Sequence, residues 1–130
     1  VCPVRGGQGA REWAECAWLG FGAIEPPPDS FVAFAGNMAK SDAISLLYIE
    51  GAATGMLCAA DGTAGIYYVS TQARFRGRGL GGIVVETLKR RALEMGFGRI
   101  TLLATPSGLP LYLKHGFRDN GAVKIYKTGE

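Results

Sequence analysis

A glycine-rich segment between an apolar run and a helix-forming stretch is the feature that most constrains the fold of this chain. Four glycines lie within six residues, from Gly77 to Gly82, after a turn that carries Arg74, Arg76 and Arg78. A backbone without Cβ atoms leaves its N–H groups open to a ligand. The first N–H groups of a helix are unsatisfied and lie at the positive end of its dipole. The segment therefore predicts a strand, a phosphate-binding turn and a helix.

Two other interpretations of this segment compete. A glycine-rich turn with solvated arginines would be purely structural. The spacing Gly77-x-Gly79-x-x-Gly82 also fits the dinucleotide fingerprint. In that fingerprint the first glycine follows its strand almost directly and an acidic residue ends the next strand. Here residues 71–75 intervene and residues 97–105 contain no carboxylate. A P-loop is excluded because the segment has no Gly-Lys-Ser/Thr.

Length and charge indicate one globular domain with a small ligand. A chain of 130 residues buries about two-thirds of its unfolded surface. We expect a single domain over residues 1–130. Because the sequence begins with Val1, part of the first strand could be missing or the domain could belong to a longer chain. No apolar run approaches the ~20 residues that span a bilayer. The net charge of +3, without an extended basic stripe, does not suit nucleic acid. We therefore expect neither a membrane nor a nucleic acid as partner.

The cysteines indicate a reducing compartment. Cys2, Cys16 and Cys58 are odd in number, and their spacing matches no metal site. We interpret Cys16 and Cys58 as small buried apolar side chains rather than reactive thiols. The printed sequence does not open with a signal peptide. We therefore expect a cytoplasmic location and no metal.

Apolar spacing predicts two helices in the first part of the chain. The first runs from residue 10 to residue 22, and its inner face would carry Trp13, Cys16, Ala17 and Phe21. Residues 1–9 are a candidate stub of a first strand. The prolines at 26–28 stop the first helix, and Asp29 or Ser30 would cap the second.

Three short apolar runs then predict an antiparallel meander, at residues 43–49, 55–60 and 64–70. The Asp61-Gly62 pair between the last two is a strong hairpin signal. A helix over residues 80–95 follows, and its charged residues are expected on a solvated face: Glu86, Lys89, Arg90, Arg91 and Glu94.

The remaining elements complete a mixed sheet. A strand over residues 99–104 returns parallel to the one that ends at Ser70. A short helix capped by Thr105 or Ser107 is expected from Pro106 to about His115. Strands at 117–119 and 122–127 close the chain across Asn120-Gly121. The predicted fold class is α/β (α+β), a mixed and mostly antiparallel sheet with a central parallel pair and helices on both faces.

Two motifs of the chain resemble the GNAT superfamily, the acetyl-CoA-dependent N-acetyltransferases. Arg76-Gly77-Arg78-Gly79-Leu80-Gly81 is similar to that family's R-x-x-G-x-G/A signature. Leu111-Tyr112-Leu113-Lys114-His115-Gly116-Phe117 is similar to its L-Y-x-x-x-G-F segment. The elements around these motifs have the family's order, so the resemblance covers residues 64–127. It implies a GNAT-like fold and direct transfer of an acetyl group from acetyl-CoA to a primary amine.

The resemblance also implies roles for individual residues. Backbone groups on the strand end would pair with pantetheine, and those of the glycine-rich segment would bind the pyrophosphate. The coenzyme-binding residues so implied are Tyr68, Val69, Ser70, Arg76, Gly77, Arg78, Gly79, Leu80, Gly81, Gly82 and Thr105, the last standing where many members have asparagine. Tyr112 would protonate the departing thiolate, and a backbone N–H near Val69 would polarise the thioester carbonyl. We expect His115 to face solvent.

The sequence departs from the family pattern at the general base. Many relatives use a glutamate on one of the two splayed strands, but residues 64–71 and 99–105 contain neither Asp nor Glu. The remaining candidates are Tyr67, Ser70, Glu50 or a chain of waters. The missing carboxylate leaves open an alternative function, a non-catalytic module that binds acyl-CoA for regulation.

The acceptor is the part of the function that the sequence determines least. The resemblance implies that acceptor contacts come from the two N-terminal helices and from loops near 22–30 and 50–54. Few carboxylates lie there, which argues against a polycationic acceptor. A small-molecule amine, an amino acid or a peptide N-terminus remains open, and so does a homodimer.

Overall fold

Seven strands and four helices make up the part of the chain that the structure describes, residues 1–60, 62–103, 108–120 and 123–127 of a computed structural model. The elements in chain order are β1 (Cys2–Pro3), α1 (Gly6–Gly20), α2 (Asp29–Ala39), β2 (Ile44–Ile49), β3 (Ala53–Ala60), β4 (Thr63–Thr71), α3 (Leu80–Glu94), β5 (Arg99–Leu103), α4 (Leu109–Lys114), β6 (Arg118–Asn120) and β7 (Val123–Lys127). A short 3₁₀ turn, Ala73–Phe75, lies between β4 and α3. None of the described helices is both long and apolar enough to cross a membrane.

The strands form one mixed sheet with its parallel pair near the centre. Their order is β1-β2-β3-β4-β5-β7-β6. Of the six described pairings, only that of β4 with β5 is parallel. The helix α3 carries the chain from β4 back to β5, which allows these two strands to run in the same direction. The predicted fold class is therefore confirmed.

Side chains alternate between two cores on opposite faces of the sheet. On β2, Leu46 packs against α1 and α2, whereas Leu47 packs in the core that α3 and α4 cover. Trp13 is fully buried in the first core, and Val84 and Leu88 are fully buried in the second. Helices therefore cover both faces, as predicted.

The first helix begins earlier than the sequence indicated. It starts at Gly6 rather than Ala10, and the candidate first strand is reduced to two residues paired with β2. Glycine weakens a helix by about 1 kcal/mol relative to alanine, so local propensity does not explain this early turn. Tertiary packing does, because Gly9 is buried beside Val4 and β2, where an added Cβ would lie 3.5 Å from Val4 Cγ1 and 3.9 Å from the Tyr48 hydroxyl.

Two further predictions in this region are wrong. Phe21 was expected on the buried face, but it lies just beyond the end of α1 and is 61% exposed. The N-cap of α2 is Pro28 rather than Asp29 or Ser30. The fixed φ of proline presets the extended entry, and the Pro28 carbonyl accepts hydrogen bonds from the Phe31 and Val32 amides.

The charged residues of α3 are not all solvated, which corrects the expected charged face. Lys89 is 8% exposed, and its Nζ donates to the His115 carbonyl at 2.7 Å and to Glu86 Oε1 at 3.2 Å. The same Nζ lies 4.1 Å from the centroid of the Tyr126 ring. Lys89 is buried because α4 ends beside it and presents an unsatisfied carbonyl.

A bulge interrupts β4 near its end. The register passes from Met56 opposite Tyr67 to Thr54 opposite Ser70, so Tyr68 and Val69 together face Gly55. Tyr68 has a φ of 54°, in the left-handed region that side chains rarely adopt. Thr54 Oγ1 donates to the Tyr68 carbonyl at 2.9 Å, and Trp13 Nε1 donates to the Gly55 carbonyl at 3.3 Å. Side chains thus stabilise both strands of the bulge.

Several predicted positions lie outside the described residues. They are Asp61 in the β3–β4 turn, Ala104 at the expected end of β5, the candidate cap residues Thr105 and Ser107 with Pro106, and Gly121 and Ala122 in the closing hairpin. The described helix α4 begins at Leu109 after Gly108, and the strands of the closing hairpin pair as expected, with Asn120 opposite Val123.

Candidate functional site

A cleft of about 890 Å³ opens where β4 and β5 diverge. The parallel register ends at Ile66 opposite Leu102, while β4 continues to Thr71. The cleft is lined by Gly20, Phe21, Gly22, Ile66, Tyr67, Tyr68, Val69, Ser70, Thr71, Arg76, Gly81, Leu103, Gly108, Leu111 and Tyr112. In the described part of the sheet, Tyr68 and Val69 have no register partner on β5, so this stretch of backbone borders the cleft.

The bulge determines which face of the sheet each β4 side chain lies on. Ile66 and Val69 pack in the α3 core, whereas Tyr68 and Ser70 face α1. The Tyr67 ring lies over Gly65, two residues earlier and on the α1 face. Without the extra residue a strand would alternate, so two consecutive tyrosines could not share a face.

The glycine turn, residues 76–82, connects β4 to α3. Gly77 and Gly79 have φ values of +79° and +77°, so the turn needs glycine there for its backbone conformation. Gly81 and Gly82 serve another purpose, since α4 packs against them. An added Cβ at Gly82 would lie 2.8 Å from His115 Nε2, and one at Gly81 would lie 3.2 Å from Leu111 Cδ2.

Three arginines in or just before the glycine turn, Arg74, Arg76 and Arg78, have different surroundings. The Arg76 guanidinium donates to the Thr71 carbonyl at 3.1 Å and to the Gly20 carbonyl at 2.8 Å. It therefore joins the end of β4 to the end of α1. Arg74 and Arg78 lie on the Phe75 ring, 4.9 and 5.4 Å from its centroid, and are exposed. Their charges are open to an anion at the turn.

Tyr112 lies on the inner side of α4, at the cleft. It is 8% exposed, and its ring meets Phe117 edge-on at a centroid distance of 6.0 Å. Burial raises the pKa of the Tyr112 phenol above its ordinary value of 10.0. The hydroxyl is therefore protonated at neutral pH and able to donate a proton.

His115 does not face solvent, contrary to the expectation from sequence. Its Nδ1 donates to Glu86 Oε1 at 2.7 Å, and its ring packs against the first turn of α3. Burial alone would raise the pKa of Glu86, but hydrogen bonds from His115 and Lys89 lower it below its usual value. The cluster of Glu86, Lys89 and His115 fastens α4, and with it Tyr112, to α3.

The three side chains considered as general bases have different surroundings in the structure. Ser70 is buried and its hydroxyl donates to the Ala17 carbonyl at 3.3 Å. Glu50 is exposed and is not among the residues that line the cleft. Tyr67 lines the cleft with 47% of its surface exposed. The described lining contains no Asp or Glu.

A smaller cavity of about 450 Å³ lies elsewhere, between β1, β2 and α3. Its lining includes Arg5, Arg90, Arg91 and Glu94. It touches neither the glycine turn nor Tyr112. The cleft between β4 and β5 is therefore the candidate active site, because only there do both sequence motifs meet in the described residues.

The family model of the acetyltransferase (GNAT) family matches residues 8–117. The chain belongs to this family. The match begins in α1 and ends after α4, so it includes the glycine turn and Tyr112. No curated protein sequence matches the chain significantly.

Solved structures share the GNAT fold at low sequence identity. An Agrobacterium tumefaciens protein named as an acetyltransferase has a TM-score of 0.76 at 20% identity, over 93% of this chain and 95% of its own. A Clostridium acetobutylicum protein named as an acetyltransferase and solved with acetyl-CoA has a TM-score of 0.62 at 23% identity, over 75% of this chain and 74% of its own.

A longer protein also shares the fold. The match to a Pyrococcus horikoshii protein named as an acetyltransferase has a TM-score of 0.72 at 18% identity and covers 88% of this chain. The present chain spans only 42% of that protein's length.

The predicted GNAT site residues come together, with one exception outside the described part of the chain. Tyr68, Val69, Ser70, Arg76, Gly81 and Tyr112 line the cleft. Gly77, Arg78, Gly79, Leu80 and Gly82 lie beside it, in the glycine turn and the first turn of α3. Thr105 lies outside the described residues.

Four apolar cleft residues were absent from the predicted site: Phe21, Ile66, Leu103 and Leu111. Phe21 looked like the last member of a buried helical stripe. The signal that could have found it is the pair Gly20 and Gly22, which ends the helix around it.

Proposed function

We propose that the chain transfers an acetyl group from acetyl-CoA directly to a primary amine. The observation that supports this is that one cleft contains both the glycine-rich N-terminus of α3 and the buried Tyr112, whose pKa is raised by burial. A donor with phosphates at one end and a thioester at the other fits that arrangement. The family and the relative solved with acetyl-CoA support the same donor.

The glycine turn would hold the phosphate end of the donor. Its N–H groups stand at the N-terminus of a 15-residue helix, where the dipole favours anions. Arg76 would act mainly by fixing the turn, since its guanidinium already donates to two carbonyls. Arg78, which is exposed, would add charge to the phosphate site.

The open edge of β4 would bind the amide-rich arm of the donor. Residues 67–71 extend beyond the last parallel pair with β5, so their cleft-side backbone is available for strand-like pairing. The Tyr68 carbonyl already accepts from Thr54, which leaves Val69 as the better partner.

The chemistry requires a neutral amine, a site for developing negative charge and a proton for the leaving thiolate. The amine nitrogen attacks the thioester carbon, a C–N bond forms and the C–S bond breaks. The Val69 N–H would stabilise the negative charge on the carbonyl oxygen. Tyr112 would give its proton to the sulfur, and the proton released from the amine would return through water to restore the phenol. Tyr67 would contact the entering amine through its hydroxyl.

A second candidate function is a non-catalytic module that binds acyl-CoA. The observation in its favour is that the described cleft lining contains no carboxylate to act as base. An amine that arrives neutral needs no such base, so the enzyme remains the better proposal.

The test is calorimetric binding of acetyl-CoA, followed by thiol release with a panel of amines. We expect binding, turnover, and a loss of about 10²-fold or more in kcat for Tyr112→Phe with donor affinity retained. Tyr48→Phe is the matched control, because Tyr48 lies on β2 and hydrogen bonds Glu12 away from the cleft. Binding without turnover by any amine would favour the non-catalytic module, and absence of binding would reject both functions.

A further inference from the structure

We propose that the acceptor is a small primary amine carried on an aromatic or bulky apolar body. It would bind against the acceptor wall, which we define as Phe21, Tyr67, Tyr68 and Leu103. This inference rests on the proposed function and deepens it, because it names the class of amine.

The acceptor wall lies on the opposite face of the sheet from the parts assigned to the donor. Ile100 and Leu102 of β5 are buried in the α3 core, so alternation places Leu103 on the other face. Tyr67 and Tyr68 share that face because of the bulge, and Phe21 follows the end of α1. Because β4 and β5 diverge, the cleft between them is open to both faces of the sheet. An amine on the wall can therefore approach a thioester bound on the side of α3.

The wall exposes apolar surface where a folded chain would ordinarily bury it. Leu103 is 68% exposed, and with Phe21 and Tyr67 it brings three of the large exposed apolar side chains to one cleft. Contiguous exposed apolar surface usually marks a binding site. This apolar surface comes from three different parts of the fold, so it is not simply the exposed face of one helix or strand.

Charge at the described cleft does not favour a second ammonium group on the acceptor. Arg76 is the only charged residue in the described lining, and its guanidinium already donates to two backbone carbonyls. A polyamine would bring a second positive charge to a site with no described carboxylate. An apolar body needs no such partner, because its contact with the aromatic rings removes apolar surface from water.

Packing holds the Tyr68 ring of the wall in place before any ligand binds. The Tyr68 ring lies among four aromatic rings, with centroid distances of 5.5 Å to Trp13, 6.0 Å to Phe31, 6.0 Å to Phe34 and 6.3 Å to Phe21. Fixed aromatic rings bind a flat apolar group with little loss of conformational entropy. The Tyr68 side of the wall is therefore preorganised for a rigid apolar body.

The experiment compares kcat/KM for 2-phenylethylamine, butylamine and 1,4-diaminobutane under saturating acetyl-CoA. We expect 2-phenylethylamine to exceed 1,4-diaminobutane at least 10-fold, in line with what one apolar group contributes to discrimination. Phe21→Ala should lower kcat/KM for 2-phenylethylamine about 10-fold, mainly through KM, without changing acetyl-CoA affinity. Ile24→Ala is the matched control, since Ile24 is 95% exposed in the same loop but is not part of the lining.

The outcomes separate this inference from the proposed function. Turnover of 1,4-diaminobutane or of an amino acid in preference to 2-phenylethylamine would overturn the inference and leave the acetyltransferase intact. A peptide with an alanine N-terminus that outperforms 2-phenylethylamine would do the same. Equal effects of Phe21→Ala and Ile24→Ala would reject the acceptor wall. Acetyl-CoA binding with no thiol release from any amine would overturn the proposed function itself, and this inference with it.

Discussion

Thr54 Oγ1 donates a hydrogen bond to the Tyr68 carbonyl across the β3–β4 ladder, at 2.9 Å. Thr54 is fully buried, and Tyr68 occupies a strained backbone conformation with a φ of 54°. Such a conformation costs about 1–3 kcal/mol and persists only where its surroundings impose it. The threonine hydroxyl therefore helps to keep two tyrosines on one face and the Val69 backbone at the cleft.

Replacing this hydroxyl should affect both stability and turnover. Thr54→Val keeps the shape of the side chain but leaves the Tyr68 carbonyl without its partner. We expect a loss of about 1–3 kcal/mol in the free energy of unfolding, measured by urea denaturation. Acetyl transfer should fall as well, because the bulge would be less well fixed. Thr87→Val is the control, since that hydroxyl bonds within an exposed turn of α3, and an equal loss there would contradict the role of Thr54.

Lys89→Met should loosen α4. The substitution keeps the buried stem but removes the donor to the His115 carbonyl and the contact with the Tyr126 ring. We expect a stability loss of about 1–3 kcal/mol and a lower kcat, because α4 carries Tyr112. Thermal denaturation and steady-state kinetics would measure the two effects. Arg90→Met, at an exposed position on the same helix, should change neither stability nor kcat. Equal losses in the two variants would contradict the role of Lys89 in holding α4.

The Glu86 carboxylate should make stability depend on pH in the acid range. Its pKa is lowered in the folded chain, so its stabilising effect is complete above the ordinary value of 4.5 and is lost as the pH falls through the folded value. Glu86→Gln should therefore be less stable than the parent at pH 7 and nearly equal to it near pH 3. The side chain is 45% exposed, so solvent screening limits the difference at pH 7 to about 1 kcal/mol. A difference independent of pH would contradict this linkage.

The pH dependence of turnover should show no loss of activity up to about pH 10. Tyr112 acts in its protonated form, and burial raises its pKa above 10.0, so it keeps its proton throughout the neutral and mildly alkaline range. The rate should rise with pH as the acceptor amine loses its proton. Measurement of kcat/KM from pH 6 to pH 10 tests this. A descending limb centred below pH 9 would assign the proton donor to a different group.

The sheet and the glycine turn could be predicted because their signals are local. Hairpin turns, apolar runs and the spacing from Gly77 to Gly82 lie within short stretches of sequence. They indicated the order of the elements. Most of the residues predicted to bind the coenzyme lie in or beside the cleft, and their binding role stays a prediction.

Three features that the sequence did not indicate depend on residues distant in sequence. Lys89 is buried because of a carbonyl 26 residues later, and the bulge depends on a threonine 14 residues before Tyr68. The early start of α1 reflects the packing of Gly9 against Val4 and β2 rather than helix propensity. No local pattern in the sequence indicates these partners.

The Arg76 guanidinium connects two regions that would bind different molecules. It donates to the Thr71 carbonyl beside the glycine turn and to the Gly20 carbonyl, one residue before Phe21. Any ligand that tightens the turn therefore also restrains the start of the acceptor wall. Such coupling is reciprocal by thermodynamic linkage. The affinities for donor and acceptor should thus depend on each other, through one side chain that itself need not touch the reacting atoms.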